Sequence, residues 1–165
     1  MNGLLTVGRQ FVSGVFVFTF LLGSAAIAGE DVYLSLTNIS DGTVVNLSED
    51  DLLAMEQFTV LTENEFVDGL AEFTGPLARD VIAFLNASDI GMLTLTAVND
   101  YAVEVPMSDL LEYDVIFAMA QNGTRFSVRD KGPIWVIYPM TENEELQDRV
   151  YNDRLIWQLV KVDVL

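Results

Sequence analysis

The chain has 165 residues, 25 acids against 8 bases, a formal net charge of −17, and neither cysteine nor histidine. Disulfide staples, imidazole or thiolate metal sites and Ser-His or Cys-His nucleophilic centres are thereby excluded. The acidity argues against nucleic acid or anionic lipid as partner, since both are held by Lys/Arg footprints.

Met1 to Gln10 carries Arg9 as its only charge, Phe11 to Leu22 is mostly apolar, and Ala26-Ile27-Ala28 has the small-x-small form of a cleavage site. This predicts a cleaved export signal over residues 1–28. The apolar run is short for a span of about 20 residues, so no membrane span is expected after cleavage. Residues 29–165 are expected to form a single domain, secreted to the periplasm of a Gram-negative bacterium and stabilised by packing alone.

Along that domain, Asp31 to Thr37 alternates and reads as a first strand, with a turn at Asp41-Gly42. Ser48 and Asp51 form a capping box opening a helix through Met55, and Phe58 to Leu61 is β-rich. Thr74 is expected to cap a second helix that has Pro76 in its first turn and buries Leu77, Val81, Ile82 and Leu85, with Asn86 to Gly91 ending it. Met92 to Val98 and Tyr101 to Val105 read as strands joined by Asn99-Asp100. Ser108 is expected to cap a helix at Asp109 to Glu112. Val115 to Ala120 and Arg125 to Val128 flank the hairpin signal Asn122-Gly123. Ile134 to Tyr138 reads as a buried strand, Glu142 to Arg149 as a helical surface piece, and Leu155 to Val164 as the last strand. The sum is an α+β, mostly-β domain with short helices.

Five segments carry a resemblance: Phe73-Thr74-Gly75-Pro76-Leu77, Asn99-Asp100-Tyr101, Asn122-Gly123, Gly132-Pro133-Ile134-Trp135 and Arg154-Leu155-Ile156-Trp157. In order and spacing they resemble the molybdopterin-binding domain of the sulfite-oxidase-type oxidoreductases. A closer likeness is to small exported proteins, labelled molybdopterin-dependent oxidoreductases by similarity, that carry an Arg-Asp-Lys-Gly-Pro-x-Trp run, here Arg129 to Trp135. The resemblance implies a sulfite-oxidase-like fold. It does not bring the metal: the family's ligating cysteine and the arginine of its Gly-Pro strand have no counterparts here, and carboxylate does not replace a soft thiolate.

Candidate ligand-binding residues are Arg125, Arg129, Lys131, Trp135 and Tyr138, where scarce cations stand beside a Gly-Pro turn and two aromatics. Their bland alternative is surface ion pairing for the cations and core packing for the aromatics. Asn99 and Tyr101 join them because that turn lies near the cofactor in the resembling fold. The acids at Glu142, Glu144, Glu145 and Asp148, and those at Glu49, Asp50 and Asp51, lack the spacing of a calcium loop and read as solvated surface. No catalytic residue and no metal ligand emerges. The expectation is a non-catalytic module binding a small anionic or planar ligand, or an envelope protein partner, with no cofactor. The alternative is a periplasmic oxidoreductase that keeps a molybdopterin without a protein thiolate.

Overall fold

Alternating apolar and polar side chains build most of this molecule. A computed structural model describes residues 31–86 and 91–165. The expected export signal, 1–28, lies outside the described residues, as does 87–90 within the expected helix end.

β1 (Leu34–Asn38) buries Leu34 and Leu36 and turns at Asp41-Gly42 into β2 (Val44–Leu47). α1 (Glu49–Ala54) starts with the expected capping box: Asp51 N donates to Ser48 Oγ at 3.2 Å, and Ser48 N donates back to the Asp51 carboxylate at 2.8 Å. β3 (Phe58–Thr62) then pairs with β4 (Ala71–Gly75). α2 (Ala78–Ile82) runs into a 3-10 turn at Ala83–Leu85 and buries Val81, Ile82 and Leu85. β5 (Met92–Ala97) and β6 (Ala102–Pro106) form a hairpin, and α3 (Met107–Glu112) follows. β7 (Ile116–Ala118), β8 (Ala120–Gln121), β9 (Thr124–Arg125), β10 (Trp135–Ile137), α4 (Arg149–Asn152) and β11 (Leu159–Val164) complete the chain.

The strands make three sheets. The largest has the order β2-β1-β11-β5-β6, antiparallel throughout except for the parallel pair β1 and β11. Its inner face, with Leu34, Leu36, Leu93, Leu95, Val162 and Val164, covers the main core. Each fully buried Leu or Val there contributes about 1.5–3 kcal/mol, so the sheet's register follows from its inner face. A four-stranded sheet, β3-β4-β8-β9, and the pair β10-β7 enclose a second core around Trp135, Phe73, Ile116 and Ile137.

The α+β, sulfite-oxidase-like architecture expected from the sequence is corrected here to a mostly-β one. Strand accounts for 37% of the described residues and helix for 21%, and the strands fall into three sheets. The α-helices are four to six residues long, one turn or little more, so they cap sheet ends and form no layer of their own.

Local differences have local causes. Thr74 caps no helix; it lies in β4 opposite Ala120, and α2 starts three residues after Gly75 without a side-chain cap. Gly75 is needed there because a Cβ would collide with the Phe117 backbone carbonyl, while Phe117 N donates to Pro76 O at 2.9 Å. Ser108 is likewise inside α3, whose N-cap is Pro106. The expected helix over Glu142 to Arg149 is a 3-10 turn at Glu144–Gln147 followed by α4, N-capped by Asp148. Leu155 to Val164 is broken at Gln158, whose φ of 54° leaves extended geometry; β11 begins at Leu159, and its register with β5 shifts once more before Lys161. The Asn122-Gly123 turn has φ of 49° and 74°, both positive as a tight two-residue hairpin requires.

Candidate functional site

The most distinctive surface of the molecule is organised by that same irregularity at Gln158. Its backbone N donates to Lys131 O at 3.1 Å, its carbonyl accepts from Val98 N at 2.9 Å, and its amide Nε2 donates to Val128 O and Asp130 O at 3.1 Å each. One residue thus ties the Val128–Lys131 loop and the Val98–Tyr101 turn to the approach of β11. The preceding residue, Trp157, is left at the surface, 38% exposed.

Trp157 stands edge-on to Phe66, with ring centroids 4.9 Å apart and planes at 84°. Phe66 is held in turn: its N–H donates to Asn64 Oδ1 at 2.9 Å and its carbonyl accepts from Lys131 Nζ at 2.8 Å. Opposite lies the Asn99–Tyr101 turn, an Asx turn in which Tyr101 N donates to Asn99 Oδ1 at 3.2 Å. Between them opens a groove of about 290 Å³. Phe66, Tyr101 and Trp157 supply ring surface; Asn99, Asn152 and Asp153 supply amide and carboxylate groups. Ala97, Leu155 and Ile156 complete its lining, which includes no lysine or arginine.

The seven residues singled out from the sequence are not one site. Asn99 and Tyr101 line the groove. Lys131 stands behind it, 4.0 Å from the Trp135 ring centroid, with its ammonium spent on Phe66 O. Burial pushes that ammonium below the ordinary lysine value, and Asp130 opposes the shift. Trp135 is wholly enclosed by Phe66, Phe73, Phe126 and Trp157, and its Nε1 donates to Leu155 O at 3.0 Å. Arg125 does not line the groove and is paired with Glu49 at 3.0 Å. Arg129 is exposed on the loop and forms no ion pair among the described residues.

Tyr138 belongs to a separate buried polar knot. Its hydroxyl donates to Asp109 Oδ2 at 3.0 Å, and Arg154 Nη1 donates to the same oxygen. Burial raises the affinity of the Tyr138 hydroxyl for its proton, and the Asp109 charge adds to that; Arg154 works the other way. The knot joins α3, the end of β10 and the segment after α4, and its side chains are 8–15% exposed at the ion pair.

Only Asn99 and Tyr101 of the groove were named as candidates from the sequence; Phe66, Asn152, Asp153 and Trp157, which supply its other rings and polar groups, were not. Trp157 does stand beside Gln158, but nothing in a linear reading marks Gln158 as the point where the strand breaks.

The donor set does not fit a thiolate-anchored molybdopterin. The chain has no cysteine or histidine. Of the three cations singled out from the sequence, Arg125 is committed to Glu49 and Lys131 to Phe66 O, and Arg129, unpaired among the described residues, does not line the groove where a phosphate tail would need it. No group of three or more acidic side chains close enough to hold a metal ion occurs among the described residues. No protein-family model matches the chain, and no curated protein matches it.

Proposed function

We propose that this is an exported, non-catalytic binding module that takes a small ring-bearing ligand, neutral or cationic, in the groove between Tyr101 and Trp157. One observation carries the reading: two partly exposed aromatic faces line a groove that is furnished with amides and a carboxylate but no cation. Aromatic faces reward apolar rings and organic cations. The carboxylate of Asp153, on a chain of net charge −17, repels an anion. The planar ligand expected from the sequence is retained, and the anionic one is dropped from the proposal.

Binding without chemistry is supported by where the perturbed groups spend themselves. Lys131 and Tyr138 turn their polar atoms to Phe66 and Asp109, away from the groove. Export to the periplasm remains part of the proposal and rests on the residue 1–28 pattern.

Tryptophan fluorescence tests the reading directly, because only Trp157 of the two tryptophans reaches solvent. Titration with an N-methylpyridinium salt and with a neutral purine is expected to quench or shift the emission saturably, and benzoate is not. Trp157→Phe, which keeps a ring against Phe66, is expected to remove the response. Equal responses to benzoate, or a response that survives in Trp157→Phe, would sink the proposal.

A further inference from the structure

The aromatic groove does not end at α4. A second, polar depression of about 400 Å³ adjoins it, lined by Glu63, Asn64, Glu65, Thr141 and Gln147, and Asn152 lines both. The loop from Glu63 to Phe66 forms one wall of each compartment. It is pinned at three places: Glu63 N donates to Thr141 Oγ1 at 2.9 Å, Thr141 N to Thr62 Oγ1 at 3.2 Å, and Lys131 Nζ to Phe66 O at 2.8 Å. The two depressions thus meet at Asn152 and share the Glu63–Phe66 wall, an aromatic compartment on one side and a hydrogen-bonding compartment on the other, and together they make up a two-part cleft.

Its furnishing discriminates among ligands. Carboxamides of Asn99, Asn152 and Gln147 recur along its length, each offering donors and an acceptor. Asn152, at the junction, makes no side-chain hydrogen bond among the described residues. Gln147 uses one N–H on Met140 O at 3.1 Å and keeps its carbonyl. Glu63, Glu65 and Asp153 add acceptors only. An organic cation would use the rings and carboxylates and leave the amide donors unmatched. A hydroxyl both donates and accepts, so a chain of hydroxyl-bearing rings matches amide, carboxylate and aromatic face together. A peptide is disfavoured by the walls, which are turns and the end of a short helix. They offer no free strand edge to extend and no continuous apolar trough for an amphipathic helix.

We infer that the cleft binds a neutral linear oligosaccharide, one ring lying against Trp157 and Tyr101 and the following units reaching past Asn152 to Gln147. This rests on the groove reading above and names its ligand class. Two compartments, each near the lower end of small-ligand site volumes at ~300 Å³ or somewhat more, call for at least two sugar units.

The test is calorimetric titration of the full mature chain with neutral mono- to tetrasaccharides of the gluco and N-acetylglucosamine series, in parallel with the N-methylpyridinium salt and a lysine-rich decapeptide. At least one series is expected to bind, with affinity rising about tenfold or more from monomer to tetramer. Asn152→Ala and Gln147→Ala are each expected to weaken the tetrasaccharide about five- to tenfold. Gln147→Ala is exposed and leaves folding intact, so the test survives if Asn152→Ala does not fold. No saccharide binding while the pyridinium salt still binds would overturn the oligosaccharide and leave the aromatic groove standing. Binding of the decapeptide in place of any saccharide would give the cleft to a peptide. Silence from all three would remove both readings.

Discussion

Trp135 and Trp157 are the only two tryptophans of the chain, and their rings lie 6.2 Å apart at 83°. One is wholly enclosed between two sheets, and the other is more than one-third exposed at the lip of a groove. The same indole is a keystone of packing in the first place and a surface for recognition in the second. What separates them is backbone: Trp135 sits in a regular strand opposite Ala118, whereas Trp157 precedes a residue with positive φ that turns the chain out of register. Enclosure, more than residue type, decides which role an aromatic takes.

The sharpest break of that comparison is Trp135→Ala. It empties a site bordered by four aromatic rings and is expected to cost about 3–5 kcal/mol in denaturant unfolding, enough to unfold a marginal domain. A cost below that of Trp157→Ala would reverse the roles assigned here. Whether enclosure ranks polar groups in the same way is measured at the Asp109 knot. Asp109→Ala strands Arg154 and the Tyr138 hydroxyl, and a loss of about 3 kcal/mol is expected, read by the same unfolding curves. If Asp109→Ala melts with wild type, the knot contributes nothing to stability.

Trp157→Ala is expected to lose only about 1–2 kcal/mol while abolishing ligand-induced fluorescence change, a split between stability and binding that Trp135→Ala cannot produce. Smallest is Lys131→Met, which removes the cation over Trp135 for about 0.5–1 kcal/mol. Burial lowers the Lys131 proton affinity in the folded state, so the unfolded chain holds that proton more tightly. Its contribution to stability therefore rises with pH, from the depressed folded value up to the ordinary 10.5. Melting curves of wild type against Lys131→Met between pH 8 and 10.5 should show wild type gaining relative to the variant. A relative loss over that window contradicts a desolvated Lys131.

Much of the strand content was legible, because alternation survives wherever one face of a strand meets the core. Leu34 and Leu36, and Leu93, Leu95 and Ala97, are examples. The Ser48–Asp51 cap and the Asn122-Gly123 turn were legible because both are short-range chemistry. β4 was not. Thr74-Gly75-Pro76 has the composition of a helix start, and Gly75 is there for a neighbour far along the chain, the backbone of Phe117. The α+β expectation failed for a related reason: the helix starts assigned to Thr74 and Ser108 fall in β4 and inside α3, and the helices that form are four to six residues long, too short to make a layer beside three sheets. Of the groove, the Asn99–Tyr101 turn was legible as a turn, but Asn99 and Tyr101 were named as site residues only through the family resemblance, and Phe66 and Trp157 meet only through tertiary contacts.

The parallel pairing of β1 with β11 has a consequence for the order in which this molecule can be assembled. β1-β2 and β5-β6 are each local hairpins, but they never touch; β11 is the only strand that lies between them. A ribosome delivers Leu159–Val164 after every other described strand, so until then the largest sheet exists as two half-sheets with raw edges facing each other. Closure of this sheet is late and long-range, and its two halves stay apart until β11 is delivered. A chain truncated before Leu159 is left with two sticky hairpins and no joined sheet.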